Sequence, residues 1–278
     1  MNKVIRLAVG MFAGILLCGC AEAEEKVRVR EDFNDGWRFH LGDVPEAYAA
    51  GYDDSGWREL ELPHDWAVEG DFSIENPSGT GGGALPGGIG WYRKTFVASE
   101  NETDRVWRLE FDGVYMNSEV FVNGVSLGVR PYGYISFGYD ISQYLHWGEE
   151  NVIAVRVDNA EQPNSRWYSG CGIYRNVWMV KTGQTRVAPS GVYVIPKVTY
   201  LPDPETGGMG SLHEGFFFVQ TDVIANEATE LRVRHMAMDA SGRKAGMVEE
   251  VLGVNEIGET EMMVRIEKPH LWSVDDPY

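Results

Sequence analysis

The sequence predicts an all-β protein made of two successive β domains. Three observations carry this. Ile153, Val155 and Val157 alternate with Ala154, Arg156 and Asp158, the period-2 pattern of a half-buried strand. Val120-Phe121-Val122 runs into Asn123-Gly124, and an Asn-Gly pair tolerates the positive φ angles of a two-residue hairpin turn. No stretch shows the spacing of an amphipathic helix of ordinary length, and only Asp53 to Trp57 reads as one short turn. Short strands punctuated in this way favour a sandwich or jelly roll.

Residues 1–20 read as a targeting segment. Lys3 and Arg6 precede an apolar run, Leu7 to Leu17, that is too short to span a bilayer. It ends in Leu17-Cys18-Gly19-Cys20, which resembles a bacterial lipoprotein cleavage box with Cys20 as the lipidated residue. An ordinary signal peptide is the alternative reading. Either way the chain is expected to be exported, and with the lipid it is anchored to the cell envelope, in the periplasm or on the outer surface. If Cys18 is removed and Cys20 acylated, only Cys171 remains as a thiol. The fold then rests on hydrophobic cores without an intrachain disulfide. Residues 21–31 are charged, lack an apolar period and read as a flexible tether.

The β pattern starts at Phe33, and the first domain is assigned to residues 32–182. Thr182 to Pro189 is polar and marks the boundary. Residues 183–278 form the second domain, opened by Val192 to Ile195. Phe216 to Val223 is an apolar strand, and Leu231 and Val233 alternate with Arg232 and Arg234. Asp239 to Gly242 reads as a turn, after which Met262, Val264 and Ile266 alternate with Met263 and Arg265. Pro202 to Gly210 is rich in Pro and Gly and reads as a hairpin loop.

The 278 residues carry a formal net charge of −18. That balance argues against nucleic-acid binding, which needs a basic stripe to displace counterions. The most informative segment is Ser165-Arg166-Trp167-Tyr168-Ser169-Gly170-Cys171-Gly172. An Arg fork beside aromatic faces suits a sugar: the fork satisfies hydroxyls and the rings cover the C–H faces of a pyranose. The other reading is an Arg whose stem covers a core edge while its head pairs with a neighbour.

This segment resembles the signature near the end of the N-terminal sugar-binding domain of glycoside hydrolase family 2. Four further elements, in the family's order, strengthen the resemblance. They are Leu62-Pro63-His64-Asp65-Trp66, Gly90-Trp91-Tyr92-Arg93-Lys94, Leu109 to Gly124, and Asn151 to Asn159. The resemblance implies a galactose-binding-like jelly-roll β-sandwich followed by an immunoglobulin-like β-sandwich, incomplete at its C-terminus. It also implies hydrolysis of O-glycosidic bonds by two Glu residues on a (β/α)8 barrel, set roughly 5 Å apart in retaining enzymes. The sequence shows no alternating β/α region to hold such a pair, so no catalytic residue is assigned and the chain is expected to be inactive alone. Asn226-Glu227 and Asn255-Glu256 match the family's Asn-Glu dipeptide but stand in turn-like contexts.

By the same resemblance, jelly-roll loops reach the barrel mouth. Arg166, Trp167 and Asp65 are therefore the substrate-binding candidates, and a β-galactoside or related glycan is the expected partner. Some β-galactosidases carry an acidic residue two before the Trp and an Asn shortly before the Gly-Trp-Tyr strand. Ser165 and Gly87 stand here instead, which leaves galactose specificity open. Asp65 has a second reading, a turn residue whose carboxylate caps backbone N–H groups. His64 reads as structural, because no second His or Cys lies at metal-ligand spacing. No metal or cofactor is expected. A stand-alone carbohydrate-binding surface lipoprotein without catalysis is the competing function.

Overall fold

The computed structural model describes residues 28–267 and 269–277. The leader, the lipidation candidate Cys20 and the first part of the expected tether lie outside the described residues. The end of that tether is corrected. Arg28–Asp32 forms β1, paired antiparallel with a later strand from Arg28 opposite Thr182 to Asp32 opposite Trp178. Its pairing depends on backbone groups, and these are invisible to a reading based on apolar period.

Nine more strands follow in the first unit. They are β2 (Trp37–Leu41), β3 (Arg58–Leu60), β4 (Gly88–Val97), β5 (Val106–Phe111), β6 (Ser118–Val122), β7 (Val125–Arg130), β8 (Phe137–Asp140), β9 (Glu150–Asn159) and β10 (Val177–Thr182). Two antiparallel sheets result, ordered β1-β10-β5-β8 and β3-β2-β4-β9-β6-β7. The expected Asn123-Gly124 turn joins β6 and β7, with φ of 49° and 85°. Both central residues have positive φ, as a two-residue hairpin requires. Between the sheets lies one core that includes Trp37, Tyr92, Leu109, Phe111, Val120, Ile153, Val155 and Met179, each fully or almost fully buried.

The half-buried reading of β9 needs one revision. Ala154 faces away from the main core yet is also buried, packed with Trp91, Phe121 and Ala47. Residues 43–57 cover that outer face, and they include a 3-10 turn, Pro45–Tyr48, that the sequence pattern did not show. Arg93 on β4 fastens this cover. Its guanidinium is buried and all five N–H donors are used. Nε donates to Asp54 (2.8 Å), Nη1 to the carbonyls of Ala47 and Ala49, and Nη2 to those of Ala50 and Tyr52. Asp54 also accepts from Arg38 (2.5 Å). A buried charge so fully partnered avoids the usual penalty.

The second unit comprises β11 (Arg186–Pro202), β12 (Met209–Met238) and β13 (Lys244–Glu267), paired in that order. The β12–β13 ribbon is doubled over on itself. Thr221 Oγ1 lies 3.4 Å from His235 Nε2 on the same strand. A straight strand would separate residues that far apart in sequence by about 45 Å. The pairing of β12 with β13 shifts register between Ala225 and Thr229, and Glu256 opposite has φ of 69°. Asn226-Glu227 and Asn255-Glu256 are thus the two sides of a bend, exposed to solvent. Bulges of this kind let one strand pass from one sheet to the other. One layer contains β11 with the halves of β12 and β13 nearest it, and the other contains Thr229–Met238 paired with Lys244–Val254.

Candidate functional site

The predicted sugar-binding residues lie on loops at one end of the first unit. Asp65 caps a short 3-10 turn, Trp66–Glu69. Its Oδ1 accepts from the backbone N–H of Ala67 and of Cys171, each at 3.0 Å. Its Oδ2 accepts from the Tyr168 hydroxyl at 2.5 Å. Both carboxylate oxygens are therefore committed to holding the 62–69 segment against the 165–173 segment. Burial, then the Asp65 carboxylate beside it, raises the Tyr168 phenol well above its usual range. It remains a protonated donor at neutral pH. Asp65 acts here as a clamp, with Tyr168 presented on its other side.

His64 is buried between three partners. Nδ1 lies 2.8 Å from the Tyr92 hydroxyl, Nε2 lies 2.8 Å from Arg58 Nη2, and Glu69 sits 3.3 Å from the same nitrogen. Arg58 can only donate to Nε2 and the Glu69 carboxylate can only accept from it, and these two partners also pair with each other, so the ring is tied into one Arg58–Glu69 network. Burial lowers the imidazole pKa, which favours the neutral ring. This histidine supports the site from behind.

Asn159, at the end of β9, organises the other wall, a role not foreseen from sequence. Its Nδ2 donates to the Gly170 carbonyl (3.1 Å) and Cys171 Sγ (2.9 Å). Its Oδ1 accepts from Gln162 (2.8 Å) and Asn164 (2.7 Å). The polar run from Asn159 to Asn164 directly after a strand was the available signal. Burial pushes the Cys171 thiol up to about 12, so it packs as a small neutral group and supplies no nucleophile.

On this scaffold Arg166 is exposed and has no hydrogen-bond or ion-pair partner among the described residues. The alternative of a stem over a core edge with a paired head does not describe it. Trp167 is 61% exposed, with its indole N–H donating to the Tyr134 hydroxyl (3.2 Å). Tyr134 meets Tyr132 edge-on at 5.7 Å and Tyr115 at 5.2 Å. Tyr132 and Tyr134 are both solvent-exposed. Ser165 steadies the loop by donating to the Trp167 carbonyl (2.6 Å). Arg166 and Trp167, neighbours in the chain, are both exposed, and Trp167 lines a shallow cleft with Ser78, Pro86, Gln162 and Tyr168. Such an arrangement can donate to hydroxyls or a carboxylate and stack on an apolar face.

Residues 83–183 match the sugar binding domain of the glycosyl hydrolases family 2. The chain carries that family's sugar-binding domain. It is 53% identical over 260 residues to the β-galactosidase BoGH2A of Bacteroides ovatus, a match that covers 90% of this chain and 29% of that protein. A putative β-glucuronidase of Formosa agariphila is 48% identical over 65% of this chain and 17% of its own length. A family 2 glycosyl hydrolase from Bacteroides cellulosilyticus matches in structure with a TM-score of 0.81 and 31% identity, over 90% of this chain and 32% of that one. The chain thus spans less than a third of the length of these relatives. The sugar-binding domain match includes Arg166, Trp167, Asn159 and Cys171 but begins after Asp65.

Proposed function

We propose that this chain is the N-terminal, non-catalytic part of a β-galactosidase-like glycoside hydrolase. Its jelly roll supplies a wall of the sugar site, and the paired carboxylates stand on a barrel carried by a continuing or separate chain. The unpaired, exposed guanidinium of Arg166, next in the chain to the exposed Trp167, carries this reading. In it, Arg166 donates to sugar hydroxyls, Trp167 and Tyr134 shape the face against which the ring lies, and Asp65 holds the two loops in register. Likeness to a β-galactosidase and to a β-glucuronidase supports a β-linked glycan and leaves the sugar open. A lipid on Cys20 would hold the assembly at the envelope.

Calorimetric titration of the chain with galactose, glucuronate and β-linked oligosaccharides tests the binding. Arg166→Ala should weaken a millimolar affinity by about 10-fold, the worth of a charged hydrogen bond. Unchanged affinity removes Arg166 from the site. The chain alone should show no hydrolysis of a chromogenic β-galactoside. Binding that persists in the native protein with no barrel attached would favour the stand-alone carbohydrate-binding lipoprotein.

A further inference from the structure

The first unit has a second cleft, and its position follows from strand lengths. β2 pairs with β3 only from Trp37 to Phe39, whereas its pairing with β4 runs on to Leu41. The chain reaches Arg58, where β3 begins, through Gly56 and Trp57, which lie outside the strand. His40 and Leu41 therefore have no strand on the β3 side among the described residues. The opening is a cleft of about 430 Å³ walled by Leu41, Trp57, Arg58, Glu69 and Pro86, within the roughly 300–1,000 Å³ of small-molecule sites. Pro86 also lines the cleft beside Trp167, and Gly70 packs so tightly on Pro86 that a Cβ there would fall 2.5 Å from its ring. The Gly70–Pro86 contact is thus shared ground between the two clefts.

We propose, resting on the glycan reading above, that this cleft is a second contact surface for a neutral glycan chain, separate from the Arg166 site. Its walls pair apolar faces with unspent polar groups. Leu41 is 53% exposed and Trp57 is half-buried, and such surfaces cover the C–H faces of a sugar. The Arg58 guanidinium uses only Nη2, on His64 and Glu69. Its Nε and Nη1 have no partner among the described residues and can donate to hydroxyls. The His40 ring stacks on Trp57 at 5.4 Å. Neither its nitrogens nor the Trp57 indole N–H has a hydrogen-bond partner among the described residues. Charge narrows the ligand. Arg58 and Glu69 pair at 2.9 Å and cancel, so the cleft offers no net charge to hold a carboxylate or phosphate, and the chain's −18 repels both. A ligand with many hydroxyls, apolar faces and no charge is a neutral sugar. Because Pro86 lines both clefts, one glycan of several units can reach from Arg166 to Trp57.

Amide chemical-shift mapping of the chain with two neutral tetrasaccharides, cellotetraose and β-1,4-galactotetraose, tests this. At least one should shift residues 39–41 and 56–58. Trp57→Ala should weaken that tetrasaccharide about 10-fold while leaving galactose affinity unchanged. Leu41→Asp, at an exposed position, should do the same, which separates loss of the cleft from a disturbed 43–57 cover. Absence of shifts at 39–41 and 56–58 with millimolar tetrasaccharide overturns the proposal. So does wild-type tetrasaccharide affinity in both variants. Arg166→Ala should leave the shifts at 39–41 and 56–58 in place, even if its galactose affinity shows that Arg166 holds no sugar. Their loss in that variant overturns the separate site, because the second cleft would then act only through the first.

Discussion

At the scale of single residues, two buried polar groups carry much of the first unit's order. Arg93 is the cleaner case, with every donor satisfied by Asp54 and four carbonyls. Arg93→Met leaves Asp54 and those carbonyls short of a partner. A loss of about 3–5 kcal/mol is expected in denaturant unfolding, the range for breaking a buried pair. His64 gives a pH signature. Its folded pKa lies below the ordinary value, so below about pH 6.5 the unfolded chain binds a proton that the folded chain refuses. Stability from this group is complete above that pH and falls as the pH drops through the window beneath it. His64→Gln should flatten that slope in unfolding titrations at pH 5 to 7. An unchanged slope would assign the acid sensitivity to other groups.

At the scale of elements, turns and strand pairings decide where the site residues stand. Gly172 has φ of 106°, and a Cβ there would fall 2.2 Å from the Tyr92 hydroxyl and 2.9 Å from the His64 carbonyl. Gly172→Ala should cost at least about 2 kcal/mol, through left-handed strain added to overpacking. It should also loosen the Asp65 clamp, and tyrosine and tryptophan fluorescence near Trp167 would report this. The sequence showed the alternation of β9, the Asn123-Gly124 turn and the run around Arg166. It did not show β1, because edge pairing is made by backbone groups and leaves no apolar period. Nor did it show the cover over Ala154, because residues 43–57 are held there by Arg93 and Arg156, both distant in sequence.

At the scale of the whole molecule, the two units differ in how much core they own. The first buries Trp37, Tyr92, Phe111, Ile153 and many others in one cluster. The cluster at the ribbon bend of the second is small, with Val223, Ala225 and Val254 at its centre. Burial scales with apolar area removed from water. Unfolding of the chain should therefore be biphasic, with the second unit melting first. A single transition with equal calorimetric and van't Hoff enthalpies would contradict this.

The sequence by itself determined the all-β class, the hairpin turn, the sugar-binding family resemblance and the loop that carries Arg166 and Trp167. These are local in the chain, set by period-2 patterning, glycine placement and contiguous motifs. Only the tertiary structure decided that Asp65 is spent as a clamp, that Asn159 orders the opposite wall and that Arg166 is left free. It also decided that β12 and β13 double over to form both layers. Each of these depends on groups separated in sequence but joined by hydrogen bonds or packing, and such partnerships are created by the fold.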